Sequence, residues 1–239
     1  MNFIFTFCGN GVRFTDKGFT TPKFLLKLND NRTILEHIMA AITFPEDSNI
    51  YFLVNNKNRK FEQETLSVIE KFTLPWGFTL DYNSDTTGQA ESALIAINKI
   101  DNNRPIIIMN NDTIIKQRDF NYIGKRLHSG RVCYVDLFEP EIKSSNLSYA
   151  KKHGDLVTEI KEKKVISNYA SSGLYGFSSS SFYKELYYTS SFYNNEKYIS
   201  QVIEEAIIKG NDVFAHTIYN ENQTIILGTP EQYHSHINR

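Results

Sequence analysis

The 239-residue chain balances 26 basic against 27 acidic residues, for a net charge of −1, and 41% of it is hydrophobic. Such a balance excludes a nucleic-acid surface built from bulk charge, and no apolar run approaches the ~18 residues that a membrane-spanning helix needs. Two cysteines, Cys8 and Cys133, lie in separate apolar runs and read as buried thiols, and no signal peptide is visible at the start, so a cytoplasmic protein is expected.

Apolar runs and helical patterns alternate along the first half. Phe3 to Cys8 reads as a buried strand. Thr33, with Glu36 three residues on, forms a capping box ahead of a helix through Met39. A second strand spans Ile50 to Val54, a helix Lys57 to Phe72, and a short strand Gly77 to Tyr82. Gln89 to Ile100 places Ala90, Ala93, Leu94 and Ile97 on one helical face. Pro105 to Met109 is almost purely apolar, as suits a strand covered on both faces. Repeated strand–helix order implies a mostly parallel, doubly wound sheet.

The second half changes character. Arg131 to Phe138 reads as a strand, and Leu147 to Ala150 and Leu156 to Glu162 as shorter strands around a turn at His153 to Asp155. Ser172 to Phe177 is another strand. Helices are expected over Ser180 to Tyr188 and Glu196 to Lys209, late strands over Val213 to Ile218 and Gln223 to Leu227, and a last short helix opened by Pro230. The Ser/Tyr-rich stretch from Ser178 to Tyr193 reads as a packed surface element.

Four segments carry chemistry. The first is Gly9-Asn10-Gly11-Val12-Arg13 with Pro22-Lys23, directly after the first strand. Its glycines let backbone N–H groups approach phosphate oxygens, Arg13 offers a fork of donors, and Lys23 adds a point charge. Alone, the segment reads equally as a strand-ending turn. It has neither the third glycine of the dinucleotide fingerprint nor the Gly-Lys-Ser/Thr of a P-loop. The second is Asn110-Asn111-Asp112, at the carboxyl end of the most apolar strand, where ligands of open α/β sheets bind. Asp112 there suits Mg²⁺ between phosphates, or simply a loop cap. The third is Thr86-Thr87-Gly88-Gln89: Gly88 allows close approach and Gln89 can read a base edge, while the plainer reading is a helix start capped by Thr87. The fourth is Glu162-Lys163, followed by Gly173-Leu174-Tyr175-Gly176-Phe177. Alternation points Glu162 to the face opposite Lys161 and Lys163; a lysine there can meet a phosphate, or the run is a charged edge strand.

In this order the segments resemble the nucleotidyltransferases that make nucleotide sugars and related activated metabolites, whose opening motif has the form Gly-x-Gly-x-Arg-Phe … Pro-Lys. The late turn Gly228-Thr229-Pro230-Glu231 matches as well, so the likeness runs from residue 3 to residue 233. The resemblance implies one Rossmann-like (GT-A type) α/β domain over residues 1–239. Its nucleotide-binding half is 1–128 and its acceptor-binding half, with a smaller β subregion, is 129–239. It also implies attack by an acceptor phosphate on the α-phosphorus of an NTP, with pyrophosphate released. Arg13, Lys23 and Asp112 would be catalytic, with Asp112 holding Mg²⁺. Gly9, Asn10, Gly11, Gly88 and Gln89 would bind the nucleotide, and Glu162, Lys163 and Gly173 the acceptor.

Two positions depart from the family pattern. Ile226 stands where a second metal-binding Asp is usual, and Phe7-Cys8 replace small residues and are expected to narrow the base side of the pocket. By analogy with short members of the family, CTP is the favoured nucleotide. The expected acceptor is a sugar phosphate or a small phosphometabolite such as phosphoglutamine or phosphocholine, in capsule or surface-polysaccharide synthesis. A nucleotide-sugar-dependent glycosyltransferase and a non-catalytic nucleotide-binding module are the alternatives; the first normally carries Asp-x-Asp, which Asn111-Asp112-Thr113-Ile114 does not supply. No membrane or nucleic-acid partner is expected, and the aromatic second half could supply a homodimer surface.

Overall fold

A computed structural model of the chain describes residues 1–100, 102–218 and 223–238. The first half runs β1 (Asn2–Phe7), α1 (Val12–Thr15), α2 (Ile34–Ala40), β2 (Asn49–Asn55), α3 (Glu62–Ile69), β3 (Phe78–Asn83), α4 (Gln89–Lys99), β4 (Ile106–Met109), β5 (Thr113–Ile115) and α5 (Phe120–Leu127). The second half runs β6 (Val132–Phe138), β7 (Tyr149–His153), β8 (Leu156–Lys161), β9 (Tyr169–Phe177), α6 (Ser180–Thr189), α7 (Ile199–Ile208), β10 (Asp212–Ile218), β11 (Thr224–Ile226) and α8 (Pro230–Ile237). Among the described residues no helix is long and apolar enough to cross a membrane.

Among the described residues, nine strands form one sheet in the order β3-β2-β1-β4-β9-β6-β10-β8-β7, and β7 also pairs with β9, closing the far end on itself. β1 runs parallel to β2 and β4, and β6 parallel to β10. Only β8 and β9 run against the rest, so the sheet is mixed but mostly one-directional. Strand alternation explains its two-sided core. Phe3, Phe5 and Phe7 of β1 face one layer with Ile34, Leu35, Ile69, Ile123 and Tyr233, while Ile4 faces the other with Ala93, Ile97, Phe182 and Val202. Phe5 stacks on Phe52 at 4.8 Å and Phe7 on Phe24 at 4.9 Å between ring centroids.

The differences from the sequence reading have local causes. The stretch from Lys57 opens as 3-10 turns over Asn56–Phe61 and becomes α-helical only at Glu62. Glu196 does not begin a helix: it pairs with Tyr193 across Asn194-Asn195, both with φ near +50–60°, and α7 starts at Ile199. Gly88, not Thr87, occupies the cap position of α4, while Thr87 donates its N–H to Glu91 at 2.5 Å. α5 has no counterpart in the sequence reading, although Asp119 caps it and Phe120, Ile123 and Leu127 share its buried face. β5 and β11, far apart in sequence, form a separate two-stranded ribbon. The Thr33–Glu36 capping box and Pro230 in the first turn of α8 are as expected.

Candidate active site

At the carboxyl ends of β1 and β4 the sheet opens into a cleft of about 490 Å³. Its lining includes each candidate site residue: Gly9, Asn10, Gly11, Arg13 and Lys23, with Gly88, Gln89, Asp112, Glu162, Lys163 and Gly173. The loop after β1 is exposed, and buried Phe14 (3% accessible) fixes α1 while the neighbouring Arg13 stays in solvent. Lys57, which the sequence reading passed over, donates to Asn10 Oδ1 at 2.6 Å and adds a third cation beside this loop.

Lys23 Nζ lies 2.5 Å from Asp112 Oδ2, with both side chains largely shielded. Asp112 Oδ1 accepts from the Thr113 hydroxyl at 3.2 Å, and its carbonyl takes the Leu227 N–H at 2.7 Å. The Leu227 contact brings in the segment that follows β11, where a Cβ on Gly228 would stand 3.2 Å from Asp112 Oδ2. Ile226 lines the cleft and packs beside Phe138, Tyr149 and Ala170, so its position offers no metal ligand. Among the described residues no group of three metal-type side chains occurs. One hard carboxylate in a cleft lined by a glycine loop nevertheless fits Mg²⁺, which is commonly held by one or two carboxylates plus substrate phosphates.

At the start of α4, Thr6 donates its hydroxyl proton to Met109 O at 3.1 Å, so its lone pair accepts from Gln89 Nε2 at 3.1 Å. The amide is thereby oriented, and Gln89 Oε1 is left as an acceptor. Cys8 lines the cleft, but Phe7 does not: its ring is buried against Phe24 on the other face of β1, so Phe7 does not narrow the base side. Burial pushes the Cys8 thiol up to about 11. Gly88, at φ +148°, is pressed against the Lys197 backbone, where a Cβ would come within 2.4 Å of Lys197 O.

At the end of β8, strand alternation stops at Lys161. Glu162 and Lys163 form a turn, with Lys163 at φ +52°, and Lys161 and Glu162 both reach α7 rather than opposite faces. Lys161 pairs with Glu204. Glu162 Oε2 accepts the hydroxyls of Ser148 and Ser200, each at 2.5 Å. Gly173, at φ +89°, lies so close to Asn110 that a Cβ would meet its amide at 2.3 Å. Neither Ser148 nor Ser200 bears a pattern by which the sequence alone would single it out, whereas Asn110 belongs to the strand-end segment already named.

Behind the cleft, Arg118 and Asp136 form a fully buried pair, 0% accessible on both sides, with Nε–Oδ1 at 2.8 Å. Ser172 beside Gly173, Tyr134, Thr224 on β11 and the Lys116 carbonyl add further hydrogen bonds to it. The pair thus ties the β5–β11 ribbon, which flanks Asp112, to the strand that carries Gly173.

A Rossmann-like α/β domain with a glycine loop at its strand ends, facing a shielded lysine–aspartate pair, defines a nucleotide-binding transferase. The nucleotidyl transferase family model matches residues 7–222. The chain belongs to that family. Among solved structures, it is similar to a nucleoside-diphosphate-sugar pyrophosphorylase from Vibrio cholerae RC9, at 25% identity and a TM-score of 0.84 over 99% of this chain and 100% of that one. A UDP-glucose pyrophosphorylase in complex with UDP-glucose shares the fold at 16% identity and a TM-score of 0.79, covering 99% of this chain and 97% of that one. So does an inositol-1-phosphate CTP transferase from T. maritima, at 12% identity and 0.70, covering 97% and 90%. No curated protein sequence matches the chain.

Proposed function

We propose that this protein transfers the nucleotidyl group of an NTP, CTP foremost, to a phosphorylated sugar or a small phosphometabolite such as phosphoglutamine or phosphocholine. Pyrophosphate is released, and the product serves capsule or surface-polysaccharide synthesis. The observation that carries this reading is one cleft in which the glycine loop, Arg13 and the Lys23–Asp112 pair face Glu162, Lys163 and Gly173. The similarity to a nucleoside-diphosphate-sugar pyrophosphorylase supports it.

The chemistry asks for placement and charge neutralisation more than for a protein base, because a phosphate dianion is already a nucleophile. An acceptor phosphate oxygen forms a bond to the α-phosphorus, the α–β bridging bond breaks, and the electron pair leaves with pyrophosphate. Arg13 and the loop N–H groups neutralise the leaving group. Lys23 has three donors, so it can keep Asp112 and still reach an α-phosphate oxygen. Asp112 would hold Mg²⁺, which when bound supplies charge neutralisation between phosphates. Lys163 takes the acceptor phosphate and Glu162 its polar body. Gln89 Oε1 accepts from a base N–H, such as that on cytosine N4.

The test is pyrophosphate release from each NTP with glucose 1-phosphate, mannose 1-phosphate, inositol 1-phosphate, phosphoglutamine and phosphocholine. Release dependent on one NTP and one acceptor supports the reading. Formation of NDP from a nucleotide sugar would mark a glycosyltransferase instead, and thermal stabilisation by NTP without turnover would mark a binding module.

A further inference from the structure

The Ser/Tyr-rich region ends in a hairpin, Tyr193 to Tyr198, that touches both halves of the cleft. Its backbone clasps the nucleotide turn: Lys197 N donates to Thr87 O at 3.0 Å, and Ala90 N donates to Lys197 O at 3.1 Å. The glycine at position 88 is what permits this approach, since a Cβ there would lie 2.4 Å from Lys197 O. The same hairpin holds the acceptor lysine. Lys163 Nζ donates to Tyr198 Oη at 2.5 Å, lies 4.5 Å from the centre of the Tyr198 ring and 5.7 Å from that of Tyr193, and stands 3.9 Å from Glu196.

Two further observations show that the hairpin is held in place. Lys197 is 4% accessible, donates to Tyr187 O at 2.8 Å and lies over the Tyr187 and Phe192 rings, which anchors the hairpin on α6. Lys163 itself adopts φ +52°, a conformation that a non-glycine residue keeps only where its surroundings impose it. The lysine is therefore aimed by its neighbours rather than left on a free stem.

We propose that the Tyr193–Tyr198 hairpin sets the spacing between the nucleotide turn and the acceptor lysine, and that Tyr198 is the positioning residue that aims Lys163 into the cleft. This rests on the reading of Lys163 as the acceptor-phosphate ligand. Tyr198 also lines the cleft, and its proposed effect runs through its bond to Lys163. A hydrogen bond to a charged group counts for more than a neutral one, but Lys163 is partly solvated, which reduces its effect.

The experiment compares wild-type protein with Tyr198→Phe and Tyr198→Ala, using whichever panel acceptor gives the highest kcat/KM. Tyr198→Phe keeps the ring and removes the hydroxyl, and should raise the acceptor KM about 3- to 10-fold. Tyr198→Ala should raise it further, because the ring is lost too, and in both variants the KM for NTP should stay within about twofold of wild type. Equal changes in both KM values would show a merely structural residue, and unchanged acceptor KM in both variants would show that Tyr198 does not aim the lysine; either result overturns the proposal. If Tyr198→Ala does not fold, Tyr198→Phe alone decides. A wild-type protein that releases no pyrophosphate with any pair removes the nucleotidyl-transfer reading, and the positioning role with it; release together with an unmoved acceptor KM removes the positioning role alone.

Discussion

Lys23 and Asp112, held 2.5 Å apart and largely out of water, are the residues on which the proposed chemistry turns, with opposite charges at the proposed phosphate site. Replacing Lys23 by Ala should lower kcat about 10²- to 10³-fold, the usual cost of losing one preorganised donor, with the thermal midpoint measured alongside to show that the fold survives. Near-normal turnover in that variant would remove Lys23 from the mechanism. Asp112→Asn keeps the shape and removes the charge; its kcat should fall by a similar factor, read in the same assay. Cys8 also lines the cleft, yet its thiol is pushed up to about 11. It should resist alkylation at neutral pH, because the thiolate is the reactive form; rapid modification of Cys8 in folded protein would contradict its burial.

Elements hold these residues at their stations, and each has its own test. Glu36 closes the capping box of α2, accepting from Thr33 N–H at 2.6 Å, and pairs with Lys71 at 2.6 Å. Burial alone would push its carboxyl up, but Lys71 and the Thr33 N–H outweigh that, and the net shift is down. A carboxylate lowered on folding contributes stability that is present above its unfolded pKa and lost as pH falls through its folded pKa. Thermal midpoints of wild type and Glu36→Gln should therefore differ at about pH 7 and converge toward about pH 3; a constant gap would assign the effect to shape rather than charge. The Arg118–Asp136 pair binds the β5–β11 ribbon to the main sheet. Asp136→Ala strands a buried guanidinium and should cost about 3–5 kcal/mol in denaturant unfolding, whereas no loss would show that the pair does not stabilise the ribbon.

At the scale of the whole molecule, what the sequence discloses follows from range. The apolar runs of β1 and β4 and the face of α4 were legible because their signal is local periodicity. The glycine loop, Asp112 and the Glu162–Lys163 pair were named from residue type and order, and the folded chain brings them to one cleft. α5 carries a weak sequence signal because Gly124 and polar residues interrupt its apolar face. The β5–β11 pairing, the seryl hydroxyls on Glu162 and the Tyr198–Lys163 contact join residues distant in sequence, and only the folded chain brings them together. Strand alternation at Lys161 to Lys163 failed for a physical reason: a left-handed turn rotates Lys163 out of the strand pattern.

The central claim is that one cleft joins the α-phosphate of an NTP to a phosphorylated acceptor. Tracing the phosphates tests it most directly, using CTP labelled at either the α- or the γ-phosphate together with the acceptor that supports turnover. The α-label should enter a nucleotide-linked product and the γ-label should leave as pyrophosphate. Release of the γ-label as inorganic phosphate, or retention of the α-label in free NDP, would contradict it.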